Sequence, residues 1–330
     1  MDLNITPSGK VSTNIFNNIA KWKHEEYQYI NAAQHILDNG FYNGSIKSIF
    51  GHSMRFSLQN GKIPILKTEC QNLKTESKNL KTECQNLKTE CQNLQTECQN
   101  LKTELLWFIR GETDTILLEK QGINSWTDSS SREVLNSRGL RLTKEGLIGP
   151  VYGYQWRHFN ANYNCFSGKK ILNDDQQDIH KNVVHFKGID QLQQIIEQLK
   201  NVETRNSNTF ILTSWNPCQI DQMAVIPSHI LCQFNVHDGN KLSCALYQQS
   251  CNILNKPDSH IALYSFLTHL LANHCGLEAY ECVYFIGKCY MYIEEAQPQI
   301  ITEPLPFPTV SIVKIRENIN DYLVEDFIIT

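Results

Sequence analysis

The sequence predicts an α+β fold because it contains two kinds of apolar pattern. Apolar residues recur at helical spacing near residues 27–37 and 192–199, as expected for helices with one buried face. Continuous runs rich in β-branched and aromatic residues, at 230–236 and 242–247, indicate strands instead. The residues between these two runs, 237–240, are His-Asp-Gly-Asn, which predicts a β-hairpin whose Gly and Asn adopt positive φ.

Composition excludes several classes of protein. The 330 residues are 41% hydrophobic and 19% charged, which is typical of a soluble globular protein. A net charge of −4 without a Lys/Arg stripe argues against binding to DNA or to an anionic membrane. No apolar run approaches the roughly eighteen residues of a membrane span, and the first residues do not resemble a signal peptide. We therefore expect a cytoplasmic (or nuclear) protein.

The twelve cysteines do not form a metal-binding pattern. Four of them belong to a repeat, and the other eight show no Cys-x-x-Cys pair and no zinc-type spacing to histidine. Reduced structural thiols in an intracellular protein are the expected interpretation, and no metal is predicted.

Elements of the first half follow from local patterns. Residues 1–22 are polar and predict a flexible N-terminal segment. A helical pattern over 25–39 ends at Asn-Gly, and a strand is predicted over 48–58. The apolar positions of that strand are Ile49, Met54 and Phe56.

Elements of the second half alternate between helix and strand. A helix is predicted around 192–199 and a buried strand over 210–215. Asp258 and Ser259 indicate the cap of a helix that ends before Gly276. Further strands are predicted at 283–287 and at the end of the chain, near 321–327.

A heptad repeat of near-identical LKTECQN units interrupts the chain at 66–103. Its leucines recur every seven residues, and its cysteines fall four residues after a leucine, so Leu takes position d and Cys position a. One interpretation is a coiled-coil arm that joins partners. The other, favoured by the near-perfect repetition, is a tandem duplication that prolongs an existing helix outward. Leu105 and Phe108 continue the heptad into the sequence that follows.

Residues 213–250 carry five short motifs in a fixed order. They are Trp215-Asn216, Asp221-Gln222-Met223-Ala224, Pro227-Ser228-His229, Cys232-Gln233-Phe234 and Tyr247-Gln248-Gln249-Ser250. The order and spacing resemble the thymidylate synthases, as do Glu104-Leu-Leu-Trp-Phe-Ile109 and Gly149-Pro-Val-Tyr-Gly-Tyr-Gln-Trp-Arg-His158. The resemblance covers about 25–330 apart from the repeat.

This resemblance implies a fold and a reaction. The fold is a large mixed β-sheet packed by helices, in a single domain from 23 to 330 that pairs through its sheet as a homodimer. The reaction is the reductive methylation of dUMP to dTMP, in which 5,10-methylenetetrahydrofolate is the cofactor and no metal takes part. It requires a soft, ionised nucleophile for C6 of the pyrimidine, a carboxylic acid to move protons, and cations for the phosphate.

The resemblance also assigns candidate residues. The catalytic positions are Ser228 (the nucleophile position), Glu104 (general acid/base), Tyr152 and His229. The substrate-binding positions are Gln248, Gln249, Ser250, Asn252, His260, Tyr290 and Tyr292. The cofactor-binding positions are Trp126, which matches a folate-stacking tryptophan, with Asp221, Val225 and Asn252.

Several of these positions depart from the family pattern. Ser228 stands where the family has its nucleophilic cysteine, and Gln249 stands where it has a phosphate-binding arginine. The arginine pair that the family sends across the dimer interface falls at Asn208-Thr209, which leaves Arg205 as a weak substitute. The arginine-containing loop that the family has before the strand at 48–58 is also missing from this sequence. His260, Asn252 and Tyr290 replace a base-reading asparagine, a folate-pocket aspartate and a ribose-contacting histidine, respectively.

Three hypotheses follow from this pattern. The first is an inactive or severely impaired family member, which binds a dUMP-like nucleotide and forms a homodimer or a heterodimer with an active synthase. The second is an active thymidylate synthase or pyrimidine-nucleotide hydroxymethylase with altered chemistry. The third is an interaction protein that acts through the heptad arm.

Overall fold

The structure, a computed structural model, describes most of the chain. The described residues are 24–66, 80–171, 187–255, 258–295, 304 and 306–330. The predicted flexible segment at 1–22 and the first part of the repeat, 67–79, lie outside them.

A mixed six-stranded sheet forms the centre of the fold. Its strand order is β1-β2-β6-β5-β4-β3, and all neighbours are antiparallel except β5 and β6, which are parallel. The strands are β1 (Phe41–Asn43), β2 (Ile46–Ser57), β3 (Ile211–Thr213), β4 (His229–His237), β5 (Lys241–Asn252) and β6 (Glu278–Tyr292). A separate antiparallel pair consists of β7 (Val310–Ile312) and β8 (Phe327–Ile329). The predicted α+β class with a mixed sheet is confirmed.

Seven α-helices are described, and they cover the sheet unevenly. They are α1 (Tyr27–Asn39), α2 (Leu80–Ile109), α3 (Ile116–Glu119), α4 (Arg132–Ser137), α5 (Gly153–His158), α6 (Gln191–Lys200) and α7 (Asp258–His274). The nearly all-buried α7 packs against β5, β6 and α2, while α1 lies against β2. None of the described helices combines the length and the apolarity that crossing a membrane would require.

Local patterns predicted the helices better than the strand ends. Helices α1 and α6 occupy the predicted segments, but β6 extends well beyond 283–287 on both sides. The final strand begins only at Phe327, because the preceding residues form 3-10 turns. There the Asp326 carboxylate accepts the Leu323 N–H and forms an ion pair with Arg316 at 2.8 Å, which closes the backbone into a turn.

The β4–β5 hairpin differs from its prediction in one detail. Gly239 has the predicted positive φ (80°), but the second residue with positive φ is Asp238 (48°) and not Asn240. A short polar side chain tolerates this conformation, and the Asp238 carboxylate accepts a hydrogen bond from Lys241 at 2.7 Å.

The heptad positions of α2 point into the protein over its last turns. Cys98, Leu101, Leu105 and Phe108 are buried, and Leu94 packs partly against the same core. The helix has 30 residues and is therefore about 45 Å long at ~1.5 Å per residue. The core-facing seam thus continues the phase of the repeat without interruption.

Gly149 provides a test of how closely the backbone segments of this fold are packed. Gly149 has φ +82°, and a Cβ added there would lie 2.2 Å from the carbonyl oxygen of Gln222. We expect Gly149→Ala to destabilise the protein by about 3 kcal/mol or more, because backbone strain and overlap add. Gly139→Ala is the matched control, since Gly139 has φ +77° in open space and its substitution should cost only about 1–2 kcal/mol. Equal unfolding midpoints in urea for the two variants would contradict this packing.

Candidate functional site

The site lies where β4 begins and where β5 and β6 end. Ser228 follows Pro227 immediately before β4, and its backbone is fixed from two sides. Its N–H donates to the Tyr152 hydroxyl at 3.0 Å, and its carbonyl accepts the Gln249 N–H at 2.9 Å. The backbone of Ser228, the predicted nucleophile position, is therefore fixed next to Tyr152.

Tyr152 is held in an unusual backbone conformation. Its φ of 47° and ψ of −107° lie outside the regions that non-glycine residues favour, at a cost of about 1–3 kcal/mol. The ring stacks on His229, with centroids 4.0 Å apart and planes within 13°. Burial raises the pKa of Tyr152, an effect that the hydrogen bonds from Ser228 oppose. The phenol is consequently neutral near pH 7.

Two imidazoles lie beside this tyrosine. His229 Nδ1 and the Tyr264 hydroxyl form a hydrogen bond at 2.7 Å, and the His229 and His260 ring centroids are 4.7 Å apart. Burial, followed by the proximity of His260, holds the pKa of His229 well below its usual value. Burial also lowers the pKa of His260 to about 4. Both rings are therefore neutral near pH 7 and can act only as neutral hydrogen-bonding groups.

The predicted acid/base carboxylate lies near the end of α2. Trp126 Nε1 donates to Glu104 Oε1 at 2.7 Å. Burial raises the pKa of Glu104 to about 6, although this hydrogen bond lowers it in part. A carboxyl with such a pKa exchanges a proton near neutral pH, as a general acid/base must.

An aromatic cluster joins the carboxylate region to the imidazoles. Neighbouring ring centroids within it are 5.3 to 6.2 Å apart. Its members are Trp107, Phe108, Trp126, Tyr152 and Trp156. The indole of Trp126 is the half-buried member, so it has a face available to solvent or to a ligand.

The ends of β5 and β6 supply the substrate-binding candidates. Gln248 is paired with His229 across the β4–β5 ladder, and its Oε1 accepts the Tyr284 hydroxyl at 2.6 Å. Ser250 and Asn252 follow it toward the end of β5. On β6, Tyr290 and Tyr292 have ring centroids 5.9 Å apart in a T-shaped arrangement, and Tyr292 is 41% exposed.

The remaining predicted positions differ in their exposure. Asp221 is exposed in a 3-10 turn, and Val225 packs partly against the core. The side chain of Gln249 is exposed, as are Asn208 and Thr209. Arg205 donates to the backbone carbonyls of Gly239 and Lys200 in its own chain, at the far end of the β4–β5 hairpin.

Sequence reasoning missed several residues that shape the site. Tyr264, the partner of His229, follows His260 at i+4 on α7, and this spacing places both on one helix face. Tyr284, which donates to Gln248, lies in a strand pattern that carried no functional signal. No group of three or more His, Cys, Asp or Glu residues in the described part of the chain is arranged to hold a metal ion.

Comparison with known proteins agrees with this arrangement. The sequence model of the family described as thymidylate synthase matches residues 91–330, more than two thirds of the chain. The chain belongs to the thymidylate synthase family. Members of this family make dTMP from dUMP with methylenetetrahydrofolate and are typically homodimers.

Individual relatives differ in length. The chain is 34% identical to the thymidylate synthase of equine herpesvirus 2 over 313 residues, which cover 92% of this chain and 93% of the viral protein. It is 35% identical to the bifunctional dihydrofolate reductase-thymidylate synthases of Plasmodium berghei and Leishmania major, over 95% and 92% of this chain. Those matches cover 47% and 52% of the two bifunctional proteins, so the chain spans about half their length.

The raised pKa of Glu104 predicts a pH-dependent stability. Because the pKa rises from 4.5 to about 6 on folding, the contribution of Glu104 to stability is fully present below pH 4.5 and is lost as pH rises through about 6. A rise of about 1.5 in the pKa corresponds to a loss of about 2 kcal/mol in the free energy of unfolding. The lowered pKa values of His229 and His260 act in the opposite direction over the same pH range, so the loss has to be measured as a difference. In urea unfolding between pH 4.5 and 7.5, the stability of the wild type relative to Glu104→Gln should fall by this amount. Trp126→Phe should enlarge it, because the indole donor stabilises the carboxylate. Parallel pH profiles for the wild type and Glu104→Gln would show that Glu104 is not desolvated.

Proposed function

We propose that this chain is a thymidylate synthase-like protein that keeps a pyrimidine-nucleotide pocket but is catalytically inactive or severely impaired. The observation that carries the proposal is Ser228 at the nucleophile position, where its backbone N–H donates to the neutral phenol of Tyr152. We further propose one domain over 23–330, interrupted by the repeat at 66–103, in a cytoplasmic or nuclear protein.

The surroundings of Ser228 support the loss of nucleophilic chemistry. A serine hydroxyl becomes a nucleophile only beside a base that can take its proton. Tyr152 has a raised pKa and is not a base near neutral pH, while His229 Nδ1 is engaged with Tyr264. Glu104 is engaged with Trp126. Each candidate base therefore has another partner or the wrong pKa.

The same surroundings support a retained base pocket. His229 and His260 provide neutral polar groups beside the rings of Tyr152 and Tyr264. Gln248 is fixed next to them, because its side chain bonds to the Tyr284 hydroxyl and to the Ser250 carbonyl. A planar pyrimidine requires this combination of aromatic faces and a few fixed polar groups. We propose Glu104, Tyr152 and His229 as the retained catalytic positions. The proposed substrate contacts are Gln248, Gln249, Ser250, Asn252, His260, Tyr290 and Tyr292.

The folate-binding positions fit their cofactor only in part. When bound, 5,10-methylenetetrahydrofolate supplies the one-carbon unit and the hydride of the family reaction. Trp126, half-buried at the edge of the aromatic cluster, fits a stacking role. The Asn252 side-chain oxygen accepts the Leu254 N–H, while Asp221 is exposed in its turn. We therefore propose Trp126 as the principal contact, with Asp221, Val225 and Asn252 contributing less.

The outer face of the sheet supports a homodimer. Leu231, Tyr247 and Phe285 form one row across β4, β5 and β6, on the face opposite Gln248. Tyr247 and Phe285 are 36% and 41% exposed, and Ile211 on β3 is 48% exposed. An apolar sheet face of this kind is typical of a protein interface. A heterodimer with an active synthase would use the same face.

Ser228 substitution tests the proposed inactivity. Wild-type protein incubated with 5-fluoro-dUMP and 5,10-methylenetetrahydrofolate should show no covalent mass increase in denaturing mass spectrometry, as should Ser228→Ala. Ser228→Cys should form an adduct slowly, because it restores an ionisable thiol in an otherwise retained pocket. An adduct on the wild type that Ser228→Ala abolishes would show that the hydroxyl is an active nucleophile.

Substitution at the sheet face tests the dimer. Phe285→Glu should convert the dimer into a monomer in sedimentation velocity, because a charge would be buried in the apolar row. Phe166→Glu is the control, since Phe166 is 65% exposed and lies outside the sheet. Dimers in both variants would exclude this face as the interface.

An active enzyme with altered chemistry is the second candidate. The observation that favours it is the His229–His260 ring pair, which gives the pocket an imidazole where the family reads the base with an amide. Such an enzyme would be a thymidylate synthase or a pyrimidine-nucleotide hydroxymethylase. Rescue of thymidine-requiring cells by the wild type would establish the synthase.

An interaction protein built on the heptad arm is the third candidate. It is favoured by the length of α2, which has 30 residues from Leu80 to Ile109. Deleting residues 73–93, three whole heptads, keeps the helix in phase and leaves Cys98 and Leu101 in place. An oligomeric state unchanged by this deletion would remove the third candidate.

A further inference from the structure

A second cavity lies at the end of the sheet opposite to the nucleotide pocket. Its volume is about 610 Å³, which is in the range of small-molecule sites. It is bounded by the starts of β5 and β6, the turn at 59–61, the second half of α7 and strand β7. Strands β5 and β6 are parallel and the nucleotide pocket lies where both end, so their starts are at the far edge of the sheet. The cavity is therefore a separate site.

Backbone contacts hold the walls of this cavity together. The Leu58 N–H donates to the Tyr280 carbonyl at 2.9 Å, which ties the turn at 59–61 to the start of β6. Gly61, with φ +78°, lies so close to β7 that an added Cβ would be 2.5 Å from the Val310 carbonyl oxygen. The walls are thus fixed before a ligand arrives, and binding does not have to order them.

His269 supplies an unused hydrogen-bond acceptor at the α7 wall of the cavity. Its Nε2 lies 2.9 Å from the Lys62 carbonyl oxygen. Because a carbonyl oxygen only accepts, Nε2 carries the proton of the neutral ring and Nδ1 is left as an acceptor. Burial lowers the pKa of His269, which keeps the ring neutral near pH 7. Within the described part of the chain, Nδ1 has no hydrogen-bond partner.

Asn273 adds a second acceptor to the same wall. It follows His269 at i+4, so the two side chains share one face of α7. Asn273 lines the cavity, and its Oδ1 is buried without a hydrogen-bond partner among the described residues. The terminal torsion of an asparagine is broad and roughly two-fold, so a half-turn exchanges the oxygen and the nitrogen. The amide can therefore offer its oxygen to a ligand, and that oxygen gains the partner it lacks.

Glu278 gives the rim of the cavity a negative charge. It is exposed, and its carboxylate forms no ion pair in the part of the chain that the structure describes. Lys241, its partner in the β5–β6 ladder, is engaged instead with Asp238 at 2.7 Å. Two carboxylates and one ammonium thus meet at this corner of the sheet. The excess of negative charge attracts a cation.

We propose that this cavity binds a small aliphatic diamine, with one ammonium donating to His269 Nδ1 and the Asn273 amide oxygen and the other near the Glu278 carboxylate. An ammonium has three donors and no acceptor, which matches a set of groups that all accept. An anion would be repelled by the unpaired carboxylate, and an apolar molecule would leave the acceptors without partners. The inference concerns a site apart from the nucleotide pocket and does not depend on the proposed function.

The test is isothermal titration calorimetry of the full chain with 1,4-diaminobutane at low ionic strength. The comparison ligand is 1,4-butanediol, which has the same length and no charge. Wild-type protein should bind the diamine at least about tenfold more tightly than the diol, because hydrogen bonds from a charged donor are the stronger ones. Raising the salt concentration should weaken binding of the diamine and leave the diol unaffected.

Two substitutions identify the groups that recognise the diamine. Glu278→Gln keeps the size of the side chain and removes its charge, so it should weaken diamine binding about fivefold and leave the diol unchanged. Asn273→Ala removes the amide acceptor and should weaken diamine binding by a similar factor. Glu203→Gln is the matched control, since Glu203 is exposed after α6 and does not line the cavity. It should bind the diamine as the wild type does.

Three outcomes would overturn the assignment. The first is equal binding of the diamine and the diol, or no diamine binding by the folded wild type. The second is wild-type affinity for the diamine in both Glu278→Gln and Asn273→Ala. The third is tighter binding of succinate than of the diamine, which would show that Lys241 recognises the ligand. Each of these results would leave the proposed function unaffected.

Discussion

The contact between Tyr152, Ser228 and His229 connects the three parts of the fold that build the site. Tyr152 precedes α5 in a strained backbone conformation, stacks on His229 at the start of β4, and accepts the Ser228 N–H. His229 in turn bonds to Tyr264 on α7. Strain of this kind persists only where the surrounding packing determines it. The aromatic cluster around Phe108 provides that packing, so a rigid pocket depends on this one contact.

The same contact sets the chemistry of the pocket. It fixes the backbone at position 228 against the phenol of Tyr152, while burial keeps that phenol and both imidazoles uncharged. Glu104 alone has a pKa near 6 and can exchange protons near neutrality. Binding groups therefore remain while the nucleophile is absent. This combination suits a protein that recognises a nucleotide and does not transform it.

Local sequence patterns predicted the class of the fold and the segments of α1 and α6, since periodic burial is a local property. Motif order also placed Ser228, Tyr152, His229 and His260 near one another, as the structure has them. Contacts set by distant packing could not be predicted in this way. The short β8 strand is an example, because it begins only after the turn that Asp326 closes through its contacts with Leu323 and Arg316.

Two further features required the three-dimensional arrangement. Tyr264 becomes a site residue only because α7 packs against the sheet and brings its hydroxyl to His229. Tyr284 becomes one only because β6 lies beside β5 and brings its hydroxyl to Gln248.

A crystal structure of the protein with dUMP tests the central claim most directly. The account predicts an ordered pyrimidine beside His229 and His260, with its C6 unbonded to Ser228 Oγ. Continuous electron density between that oxygen and C6 would contradict it.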